Sequence, residues 1–506
     1  MSNYKKKNMI KVTVNGKPRL AVAGLTLSEI TNGERPCGGH GKCGKCKVIA
    51  KGALSEITEA EKKLLTEDEL DGGVRLACLT YALGDCEVVT LSENEGAQII
   101  TDGVLPEFDR RSTFTKYGVA VDIGTTTLAA RLYDAKGNVL AETSCLNPQE
   151  KWGADVISRV ETALDGKARE LAGAIRQALD RMVSELGNIA KVNARDFDGV
   201  VITGNTVMLS LLTEQSVEPF SHAPFDARRL FGETLTAAQL ELSAFVPNTP
   251  IYLPPCISAF VGADTTCALL ATQLCEEDTA MLVDIGTNGE MALWSRGTLT
   301  VCSTAAGPAF EGVGISMGMR GADGAIDRVS IEDGALKPHV IGDGTPVGIC
   351  GSGLVDAVAC MLDLETVDES GYLEEDEFVI QDPVYLTPKD IRMLQFAKSA
   401  ICAGVVALTE TEKINASGIS TLYIAGGFGN YLNRKSAARI GLLPKELSQK
   451  AKAVGNAALS GASMLLLNME MRTKAEAVAK NARVLDLAAS EVFLDRYVAG
   501  MMLEEV

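Results

Sequence analysis

The sequence lacks any apolar run long enough to span a bilayer. No stretch of about 18 apolar residues occurs in the 506-residue chain. The basic start, residues 1–12, is not followed by an apolar segment of signal-peptide length. These absences argue against a membrane-spanning protein and a secretory leader, so we expect a cytoplasmic location and no membrane partner.

An excess of basic residues is also missing. The chain has 48 Lys and Arg against 66 Asp and Glu, which gives a formal net charge of −18. An acidic surface argues against nucleic acid as a partner. The composition is not that of a disordered chain, because 46% of the residues are apolar and 23% are charged. At this length we expect two to four domains.

A disulfide framework is the third absence, although cysteine is abundant. The total of 13 is odd and most of the cysteines are scattered, unlike the paired cysteines of small secreted scaffolds. Three of them lie in one Gly-rich segment, CGGHGKCGKC, as Cys37, Cys43 and Cys46, and Cys78 follows in LACLT. We interpret such a cluster as metal-binding.

The spacing Cys-x5-Cys-x2-Cys, with Cys78 as the fourth ligand, predicts a 2Fe–2S cluster. A loop without bulky side chains can wrap inorganic sulfide and direct backbone N–H groups at it. Plant-type ferredoxins have four residues in the first gap, so this longer loop is more similar to the adrenodoxin-type variant. Structural zinc is the alternative. Alternating apolar residues around Asn15-Gly16 predict a β-hairpin before the loop.

A repeated motif organises the rest of the chain. Residues 117–134 read YGVAVDIGTTTLAARLYD, and residues 280–294 read AMLVDIGTNGEMALW. Each copy predicts a strand that ends in an aspartate, a glycine turn and a second strand. Backbone N–H groups and threonine hydroxyls at such a turn can hold phosphate, and the aspartate can hold Mg²⁺ through water. One copy alone is equally well explained as an ordinary hairpin, but two copies favour phosphate-binding loops.

These motifs resemble the two phosphate loops of the actin and sugar-kinase superfamily of two-lobed ATPases. A third segment, LYIAGGFGNYL at Leu422–Leu432, is similar to the adenosine loop of that superfamily, where glycines without Cβ atoms let the backbone approach a nucleotide. The candidate residues for ATP and Mg²⁺ are Asp122, Gly124, Thr125, Thr126, Thr127, Asp284, Gly286, Thr287, Asn288, Gly426, Gly427 and Gly429.

Two further turns precede predicted helices. In FVGADTTCALLA, Asp264 matches the catalytic aspartate of sugar kinases in this superfamily, and the resemblance implies that it positions the attacking water. Helix capping is the alternative for Asp264. In TGNT, Asn205 and Thr206 either cap a helix or bind a polar ligand.

Several other segments leave two interpretations open. Residues 303–312, STAAGPAFEG, and the glycines after them predict a mobile or ligand-shaped loop. Gly351-Ser352-Gly353 opens an apolar helix, and either contacts nucleotide or allows close packing. Lys398 either reaches a phosphate or is solvated. Residues 362–382 predict an acidic surface insertion, and the small residues of 453–467 predict a close helix crossing between lobes.

The predicted organisation is an α+β ferredoxin-like (β-grasp) 2Fe–2S domain at residues 8–92, a linker at 93–116 and an α/β two-lobed ATPase of the actin and sugar-kinase type at 117–506. A coiled linker of this length spans roughly 25 Å and would let the cluster domain move. This pairing resembles the reductive activators of corrinoid proteins, also called corrinoid activating enzymes.

The resemblance implies an ATP-dependent enzyme that passes an electron from the 2Fe–2S cluster to inactive cob(II), restoring cob(I) for methyl transfer. It implies a corrinoid protein as partner, a ferredoxin or flavoprotein as electron donor, and a homodimer. The roles it implies are cluster ligands for Cys37, Cys43, Cys46 and Cys78, Mg²⁺ binding for Asp122 and Asp284, and catalysis for Asp264. A small-molecule kinase with a metal-stabilised N-terminal domain and an ATP-dependent electron donor to another low-potential enzyme are the alternatives.

Overall fold

The computed structural model describes residues 9–31, 41, 44, 46–90 and 103–506, so Cys37 and Cys43 lie outside the described part of the chain. The N-terminal domain has one mixed sheet, ordered β2-β1-β5-β3-β4. Its strands are β1 (Met9–Val14), β2 (Lys17–Val22), β3 (Lys47–Leu54), β4 (Val74–Leu76) and β5 (Ala82–Thr90), and its helices are α1 (Leu27–Thr31), α2 (Glu59–Leu64) and α3 (Glu67–Asp71). The predicted hairpin is confirmed, because β1 and β2 pair antiparallel around Asn15 and Gly16, both at positive φ.

A buried ion pair fixes the segment that carries Cys78. Glu61, on α2, is fully buried, and its carboxylate accepts hydrogen bonds from Arg75 Nε at 2.9 Å, Leu76 N at 3.1 Å and Thr80 Oγ1 at 3.0 Å. Glu61 is thus the buried acidic residue of a helix whose other glutamate, Glu59, is exposed. Burial by itself would raise the pKa of Glu61. The hydrogen bonds from Arg75 and from Leu76 N outweigh this effect and hold the pKa below its ordinary value.

The first lobe of the second domain is a six-stranded sheet ordered β10-β11-β9-β6-β7-β8. Its strands are β6 (Tyr117–Ile123), β7 (Thr127–Asp134), β8 (Val139–Leu146), β9 (Phe197–Gly204), β10 (Glu233–Thr236) and β11 (Pro250–Leu253). Its helices are α4 (Val156–Thr162), α5 (Ala168–Ala190), α6 (Thr206–Leu212) and α7 (Ala263–Ala271).

The second lobe has a six-stranded sheet ordered β21-β20-β12-β13-β14-β22 and two small sheets, β16-β15-β17 and β18-β19. Its strands are β12 (Thr279–Ile285), β13 (Gly289–Ser295), β14 (Thr298–Thr304), β15 (Ala325–Glu332), β16 (Ala335–Val340), β17 (Gly348–Ile349), β18 (Phe378–Gln381), β19 (Val384–Leu386), β20 (Thr421–Ala425), β21 (Ala451–Gly455) and β22 (Arg483–Val484). The helices are α8 (Gly351–Asp363), α9 (Pro388–Thr411), α10 (Arg434–Arg439), α11 (Lys445–Ser448), α12 (Ala457–Leu467), α13 (Glu470–Asn481) and α14 (Glu491–Ala499).

The two large sheets repeat one topology, which confirms the predicted pair of hairpins. The strands β6, β7 and β8 form an antiparallel meander, and β12, β13 and β14 form its copy. A parallel strand follows on the same side of each meander, β9 beside β6 and β20 beside β12. The two Asp-Ile-Gly-Thr turns therefore occupy equivalent places, at the ends of β6 and β12.

The lobes meet where α7 crosses α12. A Cβ atom added at Gly461 would lie 2.0 Å from the carbonyl oxygen of Cys267, so only glycine allows the two backbones to come this close. The close helix crossing predicted for 453–467 is thus confirmed. Apolar residues of both helices join the two sheets in one buried cluster, which includes Leu269 and Leu465.

Residues 103–116, the second part of the predicted linker, are fixed to the lobes. Val104 N donates to Val454 O at 3.2 Å. Phe114 is buried against Gly118, where a Cβ atom would approach its ring to 2.4 Å. These contacts show that residues 103–116 do not form a free linker, so that part of the 93–116 prediction is wrong.

One helix, Pro388–Thr411, has the length and apolar composition of a membrane span, but 78% of its most apolar window is buried inside the second lobe. Lys398 on this helix is fully buried and donates to the carbonyl oxygen of Met502, so neither the phosphate contact nor the solvated position proposed for it is correct. The acidic segment 362–382 exposes its glutamates at 374 and 375, as predicted, while Val367 and Leu373 are buried.

We expect Glu61→Gln to destabilise the N-terminal domain by about 3 kcal/mol, because it leaves the Arg75 guanidinium buried without its counter-charge. Urea titration followed by hydrogen exchange in peptides covering 74–80 would measure the loss. Glu59→Gln on the exposed side of the same helix is the matched control and should leave the midpoint unchanged. Because the pKa of Glu61 is depressed, the wild-type stabilisation should disappear as the pH falls through that pKa.

We expect Gly461→Ala to destabilise the two-lobed domain by about 2 kcal/mol, because the new methyl group overlaps the Cys267 carbonyl and pushes α12 from α7. Gly173→Ala in α5 is the matched control, since nothing lies within 4 Å of the added Cβ atom. That variant should be more stable by roughly 0.5–1 kcal/mol. Thermal unfolding of both would test this, and equal effects at the two sites would contradict the steric explanation.

Candidate functional site

A cavity of about 560 Å³ opens between the two lobes, and the predicted ATP-site residues line it. Those present are Asp122, Gly124, Thr125, Thr126, Thr127, Asp264, Asp284, Gly286, Thr287, Asn288, Gly426 and Gly427. Gly429 does not line the cavity. A Cβ atom there would lie 2.5 Å from Ile424 Cγ2, so its role is close packing on β20.

The first glycine turn is held from behind by polar groups. Gly124 N donates to Thr127 O at 2.9 Å, which closes the turn between β6 and β7. Asn205 Nδ2 donates to Thr125 Oγ1 at 3.1 Å, and Arg159 Nη2 donates to Thr125 O at 2.6 Å. Arg159 is fully buried, and burial lowers its pKa to about 10, so it remains a cation beneath the turn at neutral pH.

The second turn is one residue shorter than the first. Gly286 N donates to Asn288 O at 3.0 Å, and Gly307 N donates to Thr287 O at 2.9 Å. The Thr287 hydroxyl donates to Glu311 Oε1 at 2.9 Å. Each turn thus presents a threonine hydroxyl to the space between the lobes.

Glu311 connects the two turns. Its Oε2 atom accepts from Thr126 Oγ1 at 2.9 Å, while Oε1 accepts from Thr287 Oγ1. Sequence reasoning gave the 303–312 segment only as a ligand-shaped loop and did not single out Glu311. No local sequence pattern marks Glu311, because its two hydrogen-bond partners lie 185 and 24 positions away.

Six carboxylates line the cavity, which is three more than the aspartates expected. The additional ones are Glu290, Glu311 and Asp327, and Glu290 lies directly opposite Asp284 in the β12–β13 register. Burial raises the pKa of Asp122 to about 7, that of Asp264 to about 6 and that of Asp284 to about 7, and mutual repulsion adds to the shifts of Asp122 and Asp284. Burial likewise raises the pKa of Glu290.

Such a cluster favours a divalent cation, because oxygen ligands and uncompensated negative charge both suit Mg²⁺. Among the described residues, no three Asp, Glu, His or Cys side chains converge as direct ligands of one metal. Asp122 and Asp284 both line the cavity, and their binding of Mg²⁺ through water stays a prediction.

The structure resolves the alternatives left open for three turns. Asp264 does not cap α7, because Gly262 is the N-cap and Asp264 lies in the first turn, facing the cavity. Asn205 caps α6 and also lines the cavity, where the predicted polar ligand would bind. Gly351 allows close packing, since a Cβ atom there would lie 2.0 Å from Phe310 O, and it also lines the cavity, where the predicted nucleotide contact would be.

An aromatic pair closes the adenosine end of the cavity. The rings of Phe310 and Phe428 stack with centroids 4.6 Å apart. Phe428 belongs to the Gly-rich turn after β20, and Gly426 in that turn has φ +87°, a conformation that favours glycine. The backbone therefore bends close to the cavity at this point, as expected for an adenosine loop.

In the N-terminal domain, two of the four predicted cluster cysteines are described. Cys46 and Cys78 are buried, with their Sγ atoms 3.2 Å apart. Gly41 lies beneath Leu79, and a Cβ atom there would come within 2.8 Å of the leucine side chain. Cys86 is a buried strand residue of β5, as the sequence indicated.

Comparisons with known proteins agree with this geometry. Two family models match the chain, the RACo middle region over residues 117–277 and the C-terminal ASKHA domain of RACo over residues 278–506. A "corrinoid activation enzyme RamQ" from Eubacterium limosum is 33% identical over 417 residues, 76% of this chain and 70% of the relative. A "[Co(II) methylated amine-specific corrinoid protein] reductase" from Methanosarcina barkeri is 26% identical over 418 residues, covering 76% of each chain.

One solved structure matches along almost the whole chain. It is described as a reductive activator for a corrinoid, iron–sulfur protein, and it has a TM-score of 0.71, 28% identity and coverage of 98% of both chains. Together with the family models and the relative above 30% identity, this match shows that the chain belongs to the RACo family of corrinoid activation enzymes.

Proposed function

We propose that this chain is an ATP-hydrolysing iron–sulfur enzyme that reductively activates a corrinoid protein. It passes an electron from a 2Fe–2S cluster to inactive cob(II) and restores cob(I) for methyl transfer. The observation that carries the proposal is the convergence of both Asp-Ile-Gly-Thr turns and Asp264 on one cleft between lobes. We infer the corrinoid protein as partner from the names of the two relatives. A cytoplasmic homodimer with a ferredoxin or flavoprotein donor completes the proposal.

The residues of the N-terminal domain fit the cluster. Cys46 and Cys78 lie close enough together for one iron ion to bind both thiolates, and both are shielded from solvent. With Cys37 and Cys43 they make the four-thiolate set of a ferredoxin-type centre, on a mixed sheet suited to a ferredoxin-like domain. The bound cluster supplies one-electron chemistry at low potential. The Glu61–Arg75 pair holds the Cys78 segment in place.

The cleft residues have distinct roles toward ATP. The threonine hydroxyls and turn N–H groups bind the phosphates, and Asp122 and Asp284 hold Mg²⁺ through water. Asp264 orients the attacking water and accepts its proton. Its pKa of about 6 suits that role, since a general base works best when its pKa lies near the working pH.

The need for ATP follows from energetics. Moving one electron uphill by 100 mV costs about 2.3 kcal/mol, and a ferredoxin-type cluster near −400 mV cannot fully reduce a cobalt centre of lower potential unaided. Closing of the lobes around ATP, with α7 and α12 as the crossing point, is a two-state change that alters the docked partner.

Asp264→Asn should lower ATP hydrolysis about 100-fold or more while leaving the Kd of a non-hydrolysable analogue nearly unchanged, because the amide cannot accept a proton. Wild-type hydrolysis should rise with pH through about 6 as the carboxyl group ionises, and the variant should lack that step. Steady-state phosphate release from pH 5 to 8 measures both effects. Asp376→Asn, on the exposed acidic segment, is the matched control; a loss of activity there would contradict the assignment.

Cys78→Ser should abolish the visible absorption of the cluster and ATP-dependent cob(I) formation, while ATP hydrolysis persists, because the cleft lies in another domain. Cys86→Ser, a buried thiol of the same domain, is the control and should keep its colour. Anaerobic visible spectroscopy with a corrinoid protein, reductant and ATP reports both events. If wild-type protein is colourless and binds zinc at the four thiols, the electron-transfer proposal is refuted.

A further inference from the structure

Glu311 occupies the place between the two phosphate turns. It ends the short 3₁₀ turn Pro308–Glu311, and its two carboxylate oxygens accept the hydroxyl protons of Thr126 and Thr287, each at 2.9 Å. Thr126 belongs to the first lobe and Thr287 to the second. One negatively charged side chain therefore joins the lobes at the centre of the cleft.

The carboxylate and a phosphate would compete for the same protons. A threonine hydroxyl has one O–H donor, so the hydroxyls that bind Glu311 cannot at the same time donate to a phosphate. Two anions at the same point also repel each other, the more strongly in a partly buried site. A phosphate group that takes these two hydroxyls must therefore displace Glu311.

The number of phosphates decides whether this competition occurs. If the two turns hold phosphates and the turn of Gly426 and Gly427 holds adenosine, as proposed above, the last phosphate of the nucleotide lies at the point between the two turns. A diphosphate is one group shorter and leaves the hydroxyls to Glu311. A triphosphate reaches them.

Glycines in the left-handed region bound the segment that carries Glu311. Gly307 has φ +81° and Gly312 has φ +76°, so glycines that tolerate the left-handed region bound it on both sides. The neighbouring residue is Phe310, whose ring stacks on Phe428 of the adenosine loop. A displacement of Glu311 would therefore also act on Phe310 and on its stacking with Phe428.

We propose that Glu311 is the residue by which the cleft distinguishes a triphosphate from a diphosphate. Its carboxylate holds the two turns together when the terminal-phosphate position is vacant, and the terminal phosphate replaces it on Thr126 and Thr287. The cleft thereby has two states, one in which Glu311 binds the two threonines and one in which the terminal phosphate binds them. This inference rests on the proposed function of the cavity as an ATP site.

Calorimetric titration of Glu311→Gln with Mg²⁺–ADP and with Mg²⁺ and a non-hydrolysable ATP analogue tests the proposal. The amide keeps the size of the side chain but removes the competing charge. We expect the analogue to bind about tenfold more tightly than to wild type, and ADP to change less than twofold. Equal tightening of both nucleotides, or no change in their affinity ratio, would overturn the proposal.

Glu150→Gln is the matched control. Glu150 pairs with Arg320 across the lobes at 3.2 Å, and it acts electrostatically on Arg159 as Glu311 does, but it makes no contact with the two threonine hydroxyls. It should leave the ratio of analogue to ADP affinity within about twofold of wild type. A ratio shift equal to that of Glu311→Gln would mean that general cleft electrostatics, and not competition for the hydroxyls, sets the preference.

Hydrogen exchange in the peptide 303–312 provides a second readout that requires no activity. Wild-type protection should be the same without nucleotide and with ADP, and should change with the ATP analogue. In Glu311→Gln it should be lower than in wild type without nucleotide and with ADP, and equal to wild type with the ATP analogue, because Glu311 is already displaced in that state. Failure of wild-type protein to bind either nucleotide would instead refute the ATP site, whereas normal binding without cob(I) formation would refute only the corrinoid step.

Discussion

The close crossing of α7 and α12 determines how the two phosphate turns face each other. Gly461 lets the helices approach until their backbones touch. α7 carries Asp264 in its first turn, and α12 begins after Asn456, which donates to Asp122 at 3.0 Å. The contact that joins the lobes therefore also positions two of the carboxylates. A small change in the crossing angle moves both phosphate turns relative to each other.

The negative charge of the cleft favours binding of a nucleotide together with its cation. Asp122, Asp264, Asp284 and Glu290 share a buried space, and their raised pKa values mean that they bind protons more readily than free carboxyl groups when no cation is present. Mg²⁺ bound with ATP would favour the ionised forms and release those protons. Glu311 adds a further anion on the opposite side. Repulsion between these carboxylates therefore destabilises the empty cleft. Binding of a cation and a phosphate would relieve it, which suits a site with an empty and a nucleotide-bound state.

The sequence predicted the elements that depend on local patterns. Apolar strands around a glycine turn identified both phosphate hairpins, and the Gly-rich segment after β20 identified the adenosine loop except for Gly429. It missed Arg159 and Glu311, because a single charged residue in a helix or loop shows nothing about distant partners. It misplaced Lys398 for the same reason, since the carbonyl oxygen that binds it lies 104 positions later. Local periodicity specifies strands and turns, whereas contacts between distant residues determine which polar side chains line the site.

Residues 103–116 are attached beside the crossing of the two lobes. Val104 N donates to Val454 O on β21, and Thr113 Oγ1 donates to Leu466 O on α12 at 2.8 Å. The strand β21 leads directly into α12, so both acceptors lie on the part of the second lobe that packs against α7. A rotation of α12 against α7 would therefore move the attachment of residues 103–116 with it, because these hydrogen bonds fasten the segment to that helix and to the strand before it.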